Sequence, residues 1–108
     1  MEQFKNPGDC CDIEEIRQEI DKIDKKIIEL FSIRYEFVKE IVSYKKDEKG
    51  VIARERKDFV INERARIANE LGLNEDVFRQ IFTILVEDNI KKELKLLQLN
   101  KSKSEVKS

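Results

Sequence analysis

From Asp12 to Lys49 the chain contains neither Gly nor Pro, and apolar residues recur at Ile13, Ile16, Ile20, Ile23, Ile27, Leu30, Phe37, Ile41 and Tyr44. The steps are three, four, or their sum, which places every one of these side chains along a single stripe of an α-helix. Asp12 followed by Glu15 has the spacing of a capping box, so the helix is predicted to start there. A helix over residues 12–46 is about 50 Å long at about 1.5 Å per residue. It needs an apolar partner along its whole length.

The rest of the chain offers two more helices. Residues 1–11 hold the single Pro (Pro7) and one of the three Gly (Gly8), and read as a flexible arm. Lys46-Asp47-Glu48-Lys49-Gly50 has no apolar content and reads as a mobile loop. Helicity is predicted to resume near Ala53 and to stop at Gly72, with sparse apolar positions at Phe59, Val60, Ile67 and Ala68. Asn74, then Glu75 and Asp76, marks the cap of a third helix carrying Val77, Phe78, Ile81, Phe82, Leu85, Ile90, Leu94 and Leu97. That helix is expected to end near residue 98. The helical domain is thus 12–98, and the Lys/Ser-rich segment 99–108 is expected to be disordered.

On this reading the first helix is much longer than either partner, and two shorter helices folded back on it leave part of its stripe in water. Pairing two copies buries the remainder. The expected fold is therefore all-α, three helices per chain with one very long, forming an intertwined helical homodimer.

Composition removes several classes of function. The chain has no His, so a His-ligated metal, a Ser-His-Asp triad and a Cys-His pair are not available, and no metal or cofactor is expected. Its 22 basic and 23 acidic residues leave a net charge of −1. The two signs alternate along the chain, which argues against nucleic acid as partner. No apolar run approaches the roughly 20 residues of a membrane span, and no signal-peptide core follows Met1. Cys10 and Cys11 are adjacent and cannot staple distant segments, so a reduced, cytoplasmic protein is expected.

The informative residues are polar ones in apolar places. Arg34 fills the gap in the seam between Leu30 and Phe37, and Arg17 lies one turn from Ile13 and Ile20. Lys45 continues the neighbouring row through Phe31, Arg34, Val38 and Ile41. Asn89 and Glu93 are one turn apart on the third helix, on the row of Phe78, Phe82 and Leu85. Charges in a packed seam are costly unless paired or given a ligand. One reading has them snorkelling outward or pairing with acids across the dimer; the other gives them a ligand. Arg34 and Lys45, 11 residues apart on a continuous helix, face the same way about 16 Å apart and can grip opposite ends of a small molecule. Arg17 and Arg34 lie about 25 Å apart along one helix, so if both touch one ligand, one comes from the partner subunit. Arg54 and Glu55 open the second helix, and Glu55 is a candidate acceptor for a ligand hydroxyl. Such a set of cations suits a compact dicarboxylate, each Arg taking a carboxylate in a two-pronged bond.

Taken in order, Ile16-Arg17-x-x-Ile20-Asp21-x-x-Asp24, Arg34, Lys45, Arg54-Glu55 and Glu87-Asp88-Asn89 resemble the all-α chorismate mutases and their relatives the isochorismate–pyruvate lyases, over roughly residues 7–98. The resemblance implies roles. Arg17 is similar to an arginine reaching across the dimer to one substrate carboxylate, and Arg34 to the arginine holding the other within its own subunit. Lys45 matches the donor to the ether oxygen, Glu55 the acceptor for the ring hydroxyl, and Arg54 a supporting carboxylate contact. Asn89 stands where a small polar residue contacts substrate, and Glu93 where many members carry Gln as second donor to the ether oxygen.

The implied activity is the rearrangement of chorismate to prephenate, which needs no nucleophile, acid or base. Two departures bear on it. Glu93 can donate only when protonated. The segment between Lys45 and Glu55 is shorter than in typical mutases, with Val51 where an Asp is often found. That segment and the Pro7-x-Asp9-Cys10 arm resemble the lyase branch, whose reaction gives salicylate and pyruvate from isochorismate. A helical dimerisation module without catalysis is the competing reading from another class; it requires that no dicarboxylate bind.

Overall fold

The computed structural model describes residues 4–45, 47, 49–50 and 53–106, with side chains through Lys101. Its elements are a 3₁₀ turn at Pro7–Asp9 and three helices: α1 (Ile13–Val42), α2 (Arg54–Glu70) and α3 (Glu75–Val106). No strand occurs among the described residues. The chain divides into two compact units, one reaching to Glu36 and one beginning at Phe37.

The first unit holds the arm and most of α1. The helix starts where the capping pattern placed it: the Glu15 amide donates to Asp12 Oδ1 (2.8 Å), and Glu15 Oε2 accepts from the Cys11 amide (2.9 Å). The arm is tied down by a Lys5–Glu15 ion pair and by the Lys5 amide on Glu19 Oε2 (3.3 Å). Lys22 also bonds Glu19, at 2.8 Å, and this bond with the Lys5 amide holds the Glu19 carboxyl below its ordinary pKa. The predicted stripe is present and lies open in the single chain. Ile13, Ile16, Ile20, Ile27 and Leu30 are 40–59% exposed.

In the second unit α1 ends at Val42, four residues before the expected position. The Ser43 hydroxyl takes the Glu40 carbonyl (2.8 Å), competing with the α-helical ladder. The chain then leaves through three i→i−3 bonds, the last from the Lys45 amide to the Val42 carbonyl (3.0 Å). Asp47 Oδ1 caps a helical turn at Lys49–Gly50 by accepting from the Gly50 amide (2.8 Å). The remainder of the expected mobile loop, Lys46 and Glu48, lies outside the described residues, as do Val51 and Ile52.

The α2–α3 hairpin forms the core of this unit. The Leu73 amide reaches the Ala68 carbonyl (2.8 Å) and the Gly72 amide the Asn69 carbonyl (3.0 Å). These two bonds make a Schellman stop, and Gly72 supplies the left-handed residue it requires, at φ +81°. Asn74 Oδ1 accepts from the Val77 amide (3.0 Å) and opens α3. The buried face of α2 is Val60, Ile61, Ala65 and Ala68, which includes Val60 and Ala68 of the four apolar positions expected. Phe59 and Ile67 point outward, Phe59 under the Arg56 guanidinium at 5.5 Å. Ala65, at 0% exposure, is the most buried residue of that face, where a side chain so small permits close packing. Val60, Ile61 and Val86 form one cluster with Phe82 and Ile90; Val42 and Leu97 form another with Ile90, Leu94 and Leu96.

Two expectations need correction. The third helix runs to Val106, not to residue 98, because nothing after Gly72 is a helix breaker and Lys, Glu and Gln are good helix formers. Consequently the first helix is not the single very long one: α1 has 30 residues and α3 has 32.

Candidate active site

Two of the candidate residues sit in the first unit, both on α1. Arg17 is exposed and its guanidinium bonds Glu14 at 2.8 Å, one turn back on the same helix. Arg34 is half-buried and engaged with neighbours. Seventeen residues of continuous helix separate them, so they do not meet within one chain.

The other five belong to the second unit. Asn89 and Glu93 are the buried polar side chains among the described residues, at 6% and 8% exposure. They lie in line with Val86 and Leu97, at spacings of four, four and three from Leu97 back to Val86. The row expected from sequence, Phe78–Phe82–Leu85, is half-buried on the same side, with Val86 the buried residue of that turn. The burial of Asn89 and Glu93 matches that of Val86 (9%) and Leu97 (5%), so both amide and carboxyl sit at core depth. Neither is free of partners, and no fully buried side-chain nitrogen or oxygen among the described residues lacks a hydrogen bond.

Lys45 is half-buried and lies one tight turn beyond Val42, just past the end of α1. In an i→i−3 turn, residues three apart eclipse one another, so Lys45 lies beneath Val42. Val42 is 2% exposed and packs against Leu97, one turn after Glu93, beside Ile90, one turn before it, and Leu94, next to it. The Lys45 stem runs along Gly50, where an added Cβ would lie 3.5 Å from its Cδ.

Arg54 and Glu55 form the first turn of α2 and are exposed. Ala53, directly before them, is left-handed (φ 36°, ψ 62°), a conformation that costs an L-residue with a Cβ roughly 1–2 kcal/mol. The helix begins without a side-chain cap. An ion pair absent from the sequence reading aligns this end: Lys57 Nζ meets Glu87 Oε1 at 3.2 Å. With Val60 against Val86 further along, α2 and α3 run antiparallel, and each residue toward the start of α2 is matched by one toward the end of α3. Glu55 therefore comes level with the Asn89–Ile90 region. Glu87 had appeared only as part of a motif; its partner, 30 residues away, carries no local signal.

The second unit thus holds a half-buried lysine just past the end of α1, an exposed Arg–Glu pair at the start of α2, and a buried amide and carboxyl on α3. Among the described residues no group of three or more His, Cys, Asp or Glu is placed to hold a metal. Residues of these types suit a small oxygen-rich ligand.

Comparison with known proteins agrees. Residues 16–94 match the family model described as chorismate mutase type II. An isochorismate pyruvate lyase of Pseudomonas aeruginosa is 36% identical over 92 residues, 82% of this chain and 91% of that protein. A chorismate mutase of Methanocaldococcus jannaschii is 31% identical over 77 residues, 69% of this chain and 77% of that one. With the matched span running from the first turn of α1 past Glu93, the chain belongs to the chorismate mutase type II family.

Proposed function

We propose that the chain is a chorismate mutase, an isomerase that rearranges chorismate to prephenate on the route to the aromatic amino acids, acting as a cytoplasmic homodimer. The observation that supports this most is the burial of Asn89 and Glu93 at core depth on one face of α3. Away from bulk water such groups act on a bound substrate more strongly than they would at the surface. The open apolar stripe of α1 supports the dimer, since an exposed row of Ile and Leu of this length is costly in a lone chain. The free thiols of Cys10 and Cys11 suit a reducing compartment. No helix among the described residues is long and apolar enough to cross a membrane.

In this reading Arg34 of one subunit and Arg17 of the other each take one carboxylate of the substrate, folding the flexible enolpyruvyl arm over the ring. Holding the two reacting ends together removes much of the entropic barrier. Lys45 and protonated Glu93 donate to the ether oxygen, where negative charge grows as the C–O bond breaks. A preorganised donor of this kind is worth about 10²–10³ in rate. Glu55 accepts from the ring hydroxyl, Arg54 supports a carboxylate, and Asn89 contacts the substrate. Lys45, Glu93 and Arg34 carry the catalysis.

A second reading, isochorismate–pyruvate lyase, is favoured by one observation: the lyase relative matches at higher identity and over more of the chain than the mutase relative. Both substrates are compact dicarboxylates that fit the same cations. Incubating purified protein with chorismate and, separately, isochorismate distinguishes them. Prephenate from chorismate supports the mutase; salicylate and pyruvate from isochorismate, with no prephenate, support the lyase. If neither is turned over and a bicyclic dicarboxylate transition-state mimic leaves the melting temperature unchanged, the chain is a non-catalytic dimerisation module.

A further inference from the structure

Cys10 and Cys11 lie outside the proposed site, and no step above uses them. Both are free thiols; Cys11 is exposed and Cys10 half-buried. They stand directly before the Asp12 cap of α1, and the backbone between them is part of that cap. The Cys11 amide is the one that donates to Glu15 Oε2 at 2.9 Å. Glu15 in turn holds Lys5, and the Cys10 thiol leans on the Asn6 carbonyl at 3.8 Å. One peptide group thus links the two thiols to the docking of the arm.

We propose that Cys10 and Cys11 are a reversible modification site, closing to a vicinal disulfide that releases the cap of α1. A small-molecule disulfide is the oxidant. One cysteine thiolate attacks it and displaces a first small thiolate, leaving a mixed disulfide. The neighbouring cysteine thiolate then attacks the bound cysteine sulfur and displaces the second. One S–S bond forms and one breaks; two electrons pass to the oxidant, and the two cysteine protons end on the released thiols. Consecutive Cα atoms lie about 3.8 Å apart, inside the roughly 4.4 Å lower end of ordinary bridges. Closure therefore has to turn the intervening peptide, and with it the N–H that Glu15 holds. A bridge of this shape is easily reduced, which suits a switch and not a staple. Oxidation also removes the thiol hydrogen that Cys10 offers to Asn6. The arm loses two of its ties together.

The test uses the full-length protein incubated with oxidised glutathione, then with excess dithiothreitol. The expected product is monomeric on a non-reducing gel, lighter by the mass of two hydrogens, with both thiols lost together and restored together. Amide exchange at Cys11 rises about tenfold or more on oxidation and returns on reduction. Glu15→Ala gives the fast Cys11 exchange without oxidant. Cys10→Ser and Cys11→Ser, folded by circular dichroism, each abolish the two-hydrogen loss. Stable glutathione adducts on the wild type, cross-linked chains, or a closed bridge that leaves Cys11 exchange unchanged would each overturn the proposal.

Discussion

Glu93→Gln isolates the chemistry of the buried carboxyl from its packing. At 8% exposure, in line with Val86, Asn89 and Leu97, the side chain is packed at core depth, and an isosteric amide occupies the same volume. The substitution leaves a donor in place at every pH, whereas the carboxyl donates only while it holds its proton. Above its titration point each pH unit costs the wild type about tenfold in the donating form, equivalent to about 1.4 kcal/mol of transition-state stabilisation. The loss levels off at the 10²–10³ that one oxyanion donor is worth. The pH–rate profile of the wild type is therefore expected to fall by up to that factor, while Glu93→Gln stays flat and overtakes it at high pH. Glu93→Ala should sit at the low plateau throughout. The assay is prephenate formation from pH 4 to 9, alongside thermal unfolding of each variant. A neutral carboxyl exchanged for an amide loses at most a neutral hydrogen bond, about 1 kcal/mol, or roughly 4–8 °C. Superimposable profiles for wild type and Glu93→Gln would refute the donor role.

Other outcomes follow from particular contacts. Ala53→Gly removes the Cβ from a left-handed residue and should raise stability by about 1 kcal/mol, read as a higher denaturant midpoint; a lower midpoint would contradict the assigned backbone. Asn74→Ala removes the Oδ1 that accepts from Val77 and should cost about 1 kcal/mol by the same measurement. Glu19 has a folded-state pKa below its unfolded one, so its contribution is present above the unfolded value and disappears as pH falls through the folded one. The Lys5 amide it accepts from should lose exchange protection over that acid range, and Glu19→Gln should show the loss already at neutral pH.

How far the sequence reaches depends on whether the signal is local. The α1 stripe, the Asp12–Glu15 cap, Gly72 as stop and Asn74 as cap are all written within a few residues of where they act, and all are present. The inward placement of Asn89 and Glu93 was also legible, since two polar residues one turn apart interrupt an apolar row. So was the Phe78–Phe82 side of their row, although Val86, and not Leu85, is the buried residue of the turn before them. The end of α1 is decided by one hydroxyl, Ser43 on Glu40, a choice that helical periodicity does not encode. Lys57 and Glu87 find each other only once the hairpin has closed.

Subunit complementation tests the shared site most directly. Arg17→Ala and Arg34→Ala, each prepared alone, are expected to be nearly inactive. Unfolded together in equal amounts and refolded, half of the dimers are hybrids, and each hybrid carries one pocket with both arginines intact and one with neither. The mixture should therefore recover about a quarter of wild-type activity. A mixture as inactive as its components would mean that both arginines serve their own chain, and the two-subunit pocket would be wrong.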